Sequence, residues 1–218
     1  MSAGVPLPHA ILFDWDNTLI DSWPTIHAAT NATLAAMGHP TWTLEETRLR
    51  VRKSLREAFP ELYGARWEEA RDIYYRAFFD LHLKELTPIE GVEPMLRALR
   101  RAGIYLAVAS NKVGDILRSE VTHLGWDEHF GAVVGAGDAV RDKPACDPLE
   151  LALQPSALGC GEDVWYVGDT GMDMECAVAA RCVPVLLHAS AIEGREFAAS
   201  PPVHRFSSPA ELLRFLGI

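Results

Sequence analysis

The chain has 218 residues, of which 49% are hydrophobic, and its formal net charge is −10, from 20 Lys and Arg against 30 Asp and Glu. This size and apolar content predict one large globular domain, or a main domain that contains a smaller inserted one. The negative charge argues against sequence-blind binding of nucleic acid or of a membrane surface, so we expect neither partner. The sequence carries no indication of an oligomeric state.

The sequence gives no sign of a targeting or membrane-spanning segment. No apolar run approaches the length that a membrane-spanning helix needs, and Met1 to His9 lack a basic region followed by an apolar stretch. The four cysteines have no Cys-x-x-Cys spacing, which favours reduced thiols over a zinc site or a disulfide framework. We therefore expect a cytoplasmic protein.

The first strong pattern is an apolar run that ends in two carboxylates. Ala10 to Phe13 are all apolar, which predicts a strand buried on both faces, and Asp14 and Asp16 follow directly. Doubly wound sheets bind ligands at the carboxyl ends of their strands, and residues two apart on an extended chain point the same way. Two adjacent carboxylates favour a shared proton or a bound cation such as Mg²⁺. The alternative is an ordinary polar turn after a strand.

Residues 22–87 are predicted to form an all-helical block. Apolar residues recur there at helical spacing, most clearly in residues 67–81. Thr43 and Glu46 have the spacing of a capping box, which predicts a second helix running toward Ala58. The block stands between segments with a strand pattern, which favours an insertion into an α/β domain. The alternative is an ordinary helical part of a single domain.

The predicted second helix of this block concentrates positive charge in an acidic protein. A basic cluster of this kind can grip an anionic substrate. The alternative is a solvated helix face, on which pairs such as Glu46 with Arg50 balance the charge. The basic residues are Arg48, Arg50, Arg52, Lys53 and Arg56.

Four further apolar runs predict buried strands, at residues 104–109, 132–134, 164–167 and 183–187. Ser110 follows the first of these runs, and Asp169 and Asp173 follow the third. Between them, Lys143 precedes Pro144. Residues 192–200 are predicted to be a surface loop or short helix, and residues 209–216 a closing helix.

Together these residues form four motifs that span nearly the whole chain. They are Asp14-x-Asp16-x-Thr18, Ser110-Asn111, Lys143-Pro144 and Gly168-Asp169-x-x-x-Asp173. The set resembles the haloacid dehalogenase superfamily of phosphohydrolases, and most of all its phosphoglycolate phosphatase-like subgroup with a helical cap. The resemblance implies an α/β fold with a Rossmann-like doubly wound parallel sheet. Residues 1–21 and 88–218 would form this core, and residues 22–87 an inserted all-helical cap domain that covers the active site.

The resemblance also implies catalytic roles for three residues. Asp14 would be the nucleophile that forms an aspartyl-phosphate, and Asp16 the general acid and base. Lys143 would balance the charge of the nucleophile and bind the transferred phosphoryl group. Arg141 is a weaker candidate for the same role.

The resemblance further implies a Mg²⁺ cofactor and a substrate-binding set. The predicted metal residues are Asp14, Asp16 through its backbone carbonyl, Asp169, and Asp173 either directly or through water. The predicted substrate-binding residues are Thr18, Ser110, Asn111 and Lys143. Two positions depart from the family pattern, since Asn17 and Arg181 stand where Gly is usual.

Several activities can be weighed from the residues present. The dehalogenase and phosphonate-cleaving branches lack the second Asp of the first motif, so Asp16 argues against them. Sugar phosphomutases typically have Val at the position of Thr18, and a catalytically silent phosphate-binding module would be expected to have lost Asp14, Asp16 or Lys143. We therefore predict a magnesium-dependent phosphomonoester hydrolase acting on a small phosphorylated metabolite. Phosphoglycolate is a candidate substrate, with nucleoside monophosphates or sugar phosphates as alternatives.

Overall fold

A computed structural model describes residues 6–51, 55–189 and 195–218, without the side chains of residues 56, 57 and 195. The chain divides into two compact units. The first consists of Met1–Ile20 with Pro88–Ile218, and the second of Asp21–Thr87. Ile20 and Pro88 form an isolated β-bridge where the chain leaves the first unit and returns to it. The function of the second unit as a cap stays a prediction.

The first unit is built on a six-stranded sheet with the order β3-β2-β1-β4-β5-β6. Every neighbouring pair of strands is parallel. The strands are β1 (Ala10–Phe13), β2 (Tyr105–Val113), β3 (Ala132–Ala136), β4 (Val164–Gly168), β5 (Val183–Leu187) and β6 (His204–Phe206). The predicted α/β class with a parallel sheet is confirmed.

Helices follow most of these strands and make up the second unit. In the second unit they are α1 (Trp23–Ala36), α2 (Leu44–Arg50), α3 (Leu55–Tyr63) and α4 (Trp67–Leu81). In the first unit they are α5 (Val92–Arg101), α6 (Gly114–His123), α7 (Asp147–Leu153), α8 (Gly171–Ala179) and α9 (Pro209–Leu216).

The strand β1 lies in the middle of the sheet, between β2 and β4, and all four of its residues are fully buried. Ala10 and Leu12 belong to a core cluster that includes Leu149 of α7 and Ala177 of α8. A strand with protein on both faces has no solvated side, which explains its uninterrupted apolar sequence. The first polar residues of this segment follow directly after β1, at the carboxyl end of the strand.

Two sequence predictions for the first unit need correction. β2 continues to Val113, beyond the predicted end at residue 109, because Val113 still pairs with Ala136 of β3 after a register shift. The short edge strand β6 was missed, since three residues with one buried side chain, Phe206, give no recognisable period. In the predicted loop 192–200, residues 195–197 form a single 3-10 turn, and residues 192–194 lie outside the described residues.

In the second unit the capping box is confirmed. Glu46 N donates to Thr43 Oγ1 at 3.1 Å, and Thr43 N donates to Glu46 Oε2 at 2.8 Å. The helix that it begins ends at Arg50, and α3 begins at Leu55, so the predicted single helix toward Ala58 is two helices. A start signal predicts where a helix begins, but no Gly or Pro in this stretch marked its end.

The basic cluster is only partly described. Arg50 Nη2 lies 3.2 Å from Glu46 Oε1, which confirms that predicted pair, and its guanidinium lies 4.9 Å from the ring centroid of Trp42. The guanidinium of Arg48 lies 5.9 Å from the ring of Trp23. The remaining basic groups lie outside the described residues, so their predicted roles stay predictions. They are Arg52, Lys53 and the side chain of Arg56.

Two further properties follow from the described part of the chain. None of its helices is both long and apolar enough to cross a membrane. Its four cysteines are free, as their spacing indicated.

Candidate active site

The residues after β1 form a tight turn that presents both aspartates of the first motif. Asp14 continues the pairing of the strand, because its N–H donates to Val167 O at 2.8 Å. Trp15 O then accepts the N–H groups of Leu19 and Ile20, at 2.9 and 3.1 Å. Asn17 has a φ of +62°, a left-handed conformation that Asn tolerates better than most residues other than Gly. Asn17 thus fits the turn in place of the usual Gly.

Lys143 lies between two carboxylates in the protein interior. Its Nζ is 2.7 Å from Asp14 Oδ1 and 2.7 Å from Asp173 Oδ1, and it donates to Tyr166 Oη at 3.0 Å. Burial alone would lower the pKa of Lys143, but the carboxylates of Asp14 and Asp173 hold that pKa well above its ordinary value. The side chain therefore stays a cation beside the predicted nucleophile.

Asn111 fixes the backbone of Lys143. The Lys143 N–H donates to Asn111 Oδ1 at 3.1 Å, and Asn111 Nδ2 donates to Lys143 O at the same distance. The two residues are far apart in sequence, so this reciprocal pair ties the loop that carries Lys143 to the end of β2. A contact of Asn111 with substrate stays a prediction.

The end of β4 and the start of α8 supply the second acidic pair. Thr170 donates to Asp173 Oδ2 through both its N–H, at 3.0 Å, and its Oγ1, at 2.6 Å. A Cβ on Gly168 would lie 2.4 Å from Asp173 Cβ, so only Gly lets the helix start approach the strand this closely. The close backbone approach that Gly168 predicted is confirmed.

Three carboxylates converge at this edge of the sheet. Oxygen atoms of Asp14, Asp169 and Asp173 all lie within 4.8 Å of one another. Thr18 is fully buried, and its Oγ1 lies 3.4 Å from Asp169 Oδ1, so it supports this cluster. A substrate contact of Thr18, which was also predicted, would need a more exposed hydroxyl.

The charges of this cluster fit a cation. Burial raises the pKa of Asp14 to about 6, although the ammonium of Lys143 opposes the rise. Burial also raises the pKa of Asp169 well above its usual range, and the charges of Asp173 and Asp14 add to the effect. Three carboxylates around one ammonium leave an excess of negative charge, and oxygen donors are what Mg²⁺ prefers.

The remaining predicted residues lie at two different places. Ser110 is buried in β2, and its Oγ accepts the N–H of Lys112 at 3.3 Å. Arg141 is exposed, and its Nη2 lies 2.7 Å from Asp147 Oδ2. Lys143, and not Arg141, is the residue that contacts Asp14, and a role of Arg141 in binding the phosphoryl group stays a prediction.

The carboxylate of Asp16 has a separate environment that sequence reasoning missed. Its Oδ1 lies 2.7 Å from Lys112 Nζ, which also lies 2.6 Å from Glu120 Oε2. Trp15 Nε1 donates to the same oxygen of Glu120 at 2.7 Å. Burial would lower the pKa of Lys112, but Asp16 and Glu120 hold it above its ordinary value. An available signal was Glu120 itself, a charged residue within the apolar stripe of α6.

Sequence reasoning also missed that Tyr166 belongs to the site. It is fully buried in β4, and its Oη donates to Ala109 O at 2.7 Å while accepting from Lys143. A phenol inside an otherwise apolar strand needs a hydrogen-bond partner, and that need was the sequence signal.

The predicted site residues also lie within the part of the chain that matches a known protein family. A family model described as haloacid dehalogenase-like hydrolase matches residues 11–186, a range that includes every predicted site residue. The chain belongs to the haloacid dehalogenase-like hydrolases. The phosphoglycolate phosphatase of Xylella fastidiosa strain Temecula1 is 33% identical to it over 183 residues, which cover 82% of this chain and 79% of that protein. The phosphoglycolate phosphatase of Pectobacterium atrosepticum is 32% identical over 183 residues, covering 79% and 76%.

Solved structures agree on the fold of this haloacid dehalogenase-like hydrolase. A hydrolase of the same family from Streptococcus pneumoniae matches with a TM-score of 0.83 at 23% identity, over 96% of this chain and 98% of that one. A superfamily hydrolase from Ehrlichia chaffeensis matches with a TM-score of 0.69 at 26% identity, over 98% of both chains. The family and the relatives identify the protein as an enzyme of the phosphatase class.

Proposed function

We propose that this phosphatase hydrolyses a small phosphomonoester with Mg²⁺, through an aspartyl-phosphate on Asp14, and that phosphoglycolate is the first substrate to test. One observation carries the proposal. The carboxylate of Asp14 stands at the carboxyl end of the central strand, 2.7 Å from a buried ammonium and within a cluster of three carboxylates. This combination supports Asp14 as the nucleophile and Lys143 as the compensating positive charge for attack on a phosphoryl group.

The metal would be held by Asp14, Asp169 and the backbone carbonyl of Asp16. Both oxygens of Asp173 already accept hydrogen bonds, Oδ1 from Lys143 and Oδ2 from Thr170. This favours support by Asp173 through a water molecule over direct ligation. When bound, the cation supplies positive charge that reduces repulsion between the nucleophile and the phosphate oxygens.

The first chemical step forms a bond between an oxygen of Asp14 and phosphorus. The ester P–O bond breaks, and the leaving alkoxide takes the proton of the Asp16 carboxyl group. Lys143 balances the charge of the transferred group, while Ser110 can donate its hydroxyl proton to a phosphate oxygen. Ser110 Oγ already accepts from the backbone of Lys112, which orients the hydroxyl.

The second step removes the phosphoryl group from Asp14. The carboxylate of Asp16 takes a proton from water, whose oxygen attacks phosphorus, and the acyl phosphate bond breaks to give inorganic phosphate and free Asp14. Asp16 thereby returns to its protonated form. Each group thus ends the cycle as it began, as a hydrolase requires.

The substrate class is supported by two observations. The curated relatives that cover about four fifths of the chain are phosphoglycolate phosphatases. Thr18, in place of the Val typical of sugar phosphomutases, supports hydrolysis over transfer to a sugar. Nucleoside monophosphates and sugar phosphates are the competing substrates.

The test is a phosphate-release panel with magnesium or with a chelator. It would contain phosphoglycolate, nucleoside monophosphates, sugar phosphates and 4-nitrophenyl phosphate, and Asp14→Asn would be the blank. We expect magnesium-dependent release from one compound far above the others, and a phosphorylated chain in acid-quenched wild type by mass spectrometry. Equal release in the chelator, or no release from any compound by folded protein, would contradict the proposal.

A further inference from the structure

Lys112 is a second buried lysine of the site, and nothing in the proposed chemistry uses it. The side chain is 6% exposed and that of Glu120 is 1% exposed, so both charges are removed from water. Burying an ion pair is costly and often brings no net stability. The pair also contacts Asp16, which is the proposed general acid, and this contact suggests a use beyond neutralisation.

The chemistry of the contact favours one oxygen of Asp16 over the other as the site of a proton. A lysine ammonium only donates hydrogen bonds, so the oxygen that it contacts must act as an acceptor. Nζ of Lys112 contacts Asp16 Oδ1, at 2.7 Å. The carbonyl oxygen of a carboxylic acid is a better acceptor than its hydroxyl oxygen, so this contact favours a proton of Asp16 on Oδ2.

The ammonium of Lys112 is itself held by further buried contacts. Glu120 Oε2 accepts from both Lys112 Nζ and Trp15 Nε1. Trp15 is fully buried and lies edge-on to Trp126, with ring centroids 5.9 Å apart. Because Trp15 stands between Asp14 and Asp16 in the chain, the turn that carries both aspartates is anchored to the same glutamate.

We propose that Lys112, held by Glu120 and Trp15, is a positioning residue that directs the proton of Asp16 toward the leaving-group oxygen. The inference rests on the proposed function, since it takes Asp16 as the general acid. In the step concerned, the Asp14–phosphorus bond forms, the ester bond breaks, and the Oδ2 proton passes to the departing oxygen. Lys112 keeps its own protons throughout.

The test compares two leaving groups, because only one of them needs the proton. Phosphoglycolate releases an alkoxide, whereas 4-nitrophenyl phosphate releases a stabilised phenolate. If wild type does not hydrolyse phosphoglycolate, the best alkyl phosphate of the panel replaces it. The quantity measured is kcat/KM, which reports the steps up to the first irreversible one. General acid catalysis contributes typically about 10²–10⁴-fold, so its loss is easily resolved.

The variants separate positioning from stability. Lys112→Met removes the ammonium but leaves the buried carboxylate of Glu120 without a counter-charge. The double variant Lys112→Met/Glu120→Gln removes both charges and thereby limits unfolding. Lys112→Arg keeps a cationic donor. Arg118→Met is the matched control, because Arg118 also forms ion pairs from α6, with Asp115 and Asp138, but at an exposed position.

We expect the double variant to lose about 30-fold or more in kcat/KM with the alkyl phosphate and less than about 3-fold with the aryl phosphate. Lys112→Arg should recover much of the difference, and Arg118→Met should match wild type with both substrates. Equal losses with the two substrates in a folded double variant, or no loss, would overturn the positioning role.

Asp16→Asn distinguishes this inference from the function on which it rests. The same selective loss in Asp16→Asn supports the acid role, and the positioning role then depends on the Lys112 variants alone. A loss in Asp16→Asn that is equal for both substrates would instead contradict the acid role itself.

Discussion

The two aspartates of the first motif each have a buried lysine, and the two lysines have different surroundings. Lys143 contacts Asp14, and Lys112 contacts Asp16, each at 2.7 Å. Each ammonium also contacts one helical carboxylate, Asp173 for Lys143 and Glu120 for Lys112. The same pairing of an aspartate with a lysine and a helical carboxylate is thus built twice.

The difference lies in what else is near each lysine. Asp14 and Asp173 belong to the cluster of three carboxylates, together with Asp169. Glu120 instead accepts a hydrogen bond from the indole of Trp15. The ammonium of Lys112 there lies between two carboxylates, those of Asp16 and Glu120. The Lys143 centre therefore suits a metal ion and a phosphoryl group, whereas the Lys112 centre suits the orientation of a single acid.

The largest expected effect is on the nucleophile of the Lys143 centre. Asp14→Asn should lower turnover of the best substrate by about 10³-fold or more, because an amide cannot form the aspartyl-phosphate. Phosphate release by the purified variant measures this. Asp115→Asn, at a highly exposed position on α6, is the control and should keep full activity. Substantial turnover by folded Asp14→Asn would refute the nucleophile assignment.

Removal of each ammonium should destabilise the fold by about 3–5 kcal/mol, because buried carboxylates lose their partner. Lys143→Met should be the more harmful of the two in metal-free buffer, since Asp14 and Asp173 are both buried, whereas Asp16 is partly exposed. Urea unfolding would measure both. Magnesium should narrow the difference in stability between Lys143→Met and wild type, because the cation replaces part of the lost positive charge, and should leave the difference between Lys112→Met and wild type unchanged. An equal response of the two variants to magnesium would remove the distinction.

Magnesium should raise the free energy of unfolding of wild type by about 2.7 kcal/mol at a concentration 100 times the dissociation constant, and should raise the melting temperature accordingly. Asp169→Asn should lose most of this increase, because Asp169 belongs to the carboxylate cluster. Glu120→Gln should retain it, because Glu120 belongs to the other centre. Thermal unfolding with magnesium or with a chelator measures the effect. A full increase in Asp169→Asn would place the metal elsewhere.

The raised pKa of Asp14 predicts a pH effect in metal-free protein. A carboxyl group whose pKa rises from 3.8 to about 6 on folding binds a proton more tightly when folded. Its contribution to the free energy of unfolding therefore falls as the pH rises from about 4 to about 6. Over that interval wild type should lose stability relative to Asp14→Asn, measured by urea unfolding in a chelator. A constant difference between the two proteins would contradict the raised pKa.

The helices that carry the two partner carboxylates end differently, and the smallest expected effect concerns this difference. After α6 the chain turns at Gly125, with a φ of +67°, whereas after α8 it turns at Arg181, with a φ of +59°. The hydrogen bonds that close the two helices are equivalent. Trp126 N donates to Val121 O after α6, and Cys182 N donates to Ala177 O after α8.

A left-handed residue other than Gly is strained, and Arg181 is exposed, so little contact is lost on its replacement. Arg181→Gly should therefore raise the free energy of unfolding by about 0.5–1 kcal/mol, after allowance for the greater freedom of Gly in the unfolded chain. Urea unfolding measures the change. The reverse substitution, Gly125→Arg, should lower the free energy of unfolding.

Much of the fold could be predicted because it depends on local pattern. The uninterrupted apolar run of β1 predicted a buried parallel strand, and the stripe of residues 67–81 predicted α4. The edge strand β6 was too short to show a period, and the polar end of β2 had no apolar signal. Both are strands because neighbouring backbone groups pair with them, which is a tertiary effect.

The chemical types at the site follow from the sequence alone, because the motif spacings put Asp14, Asp16, Lys143, Asp169 and Asp173 at the ends of predicted strands or in a loop between them. Which of these residues are in contact depends on the folded chain. Lys143 and Asp14 are distant in the chain, as are Lys112 and Trp15 from Glu120. Local propensity contains no information on such pairs, since the parallel sheet brings them together. The division of the site into one centre around Asp14 and another around Asp16 is therefore a property of the folded chain.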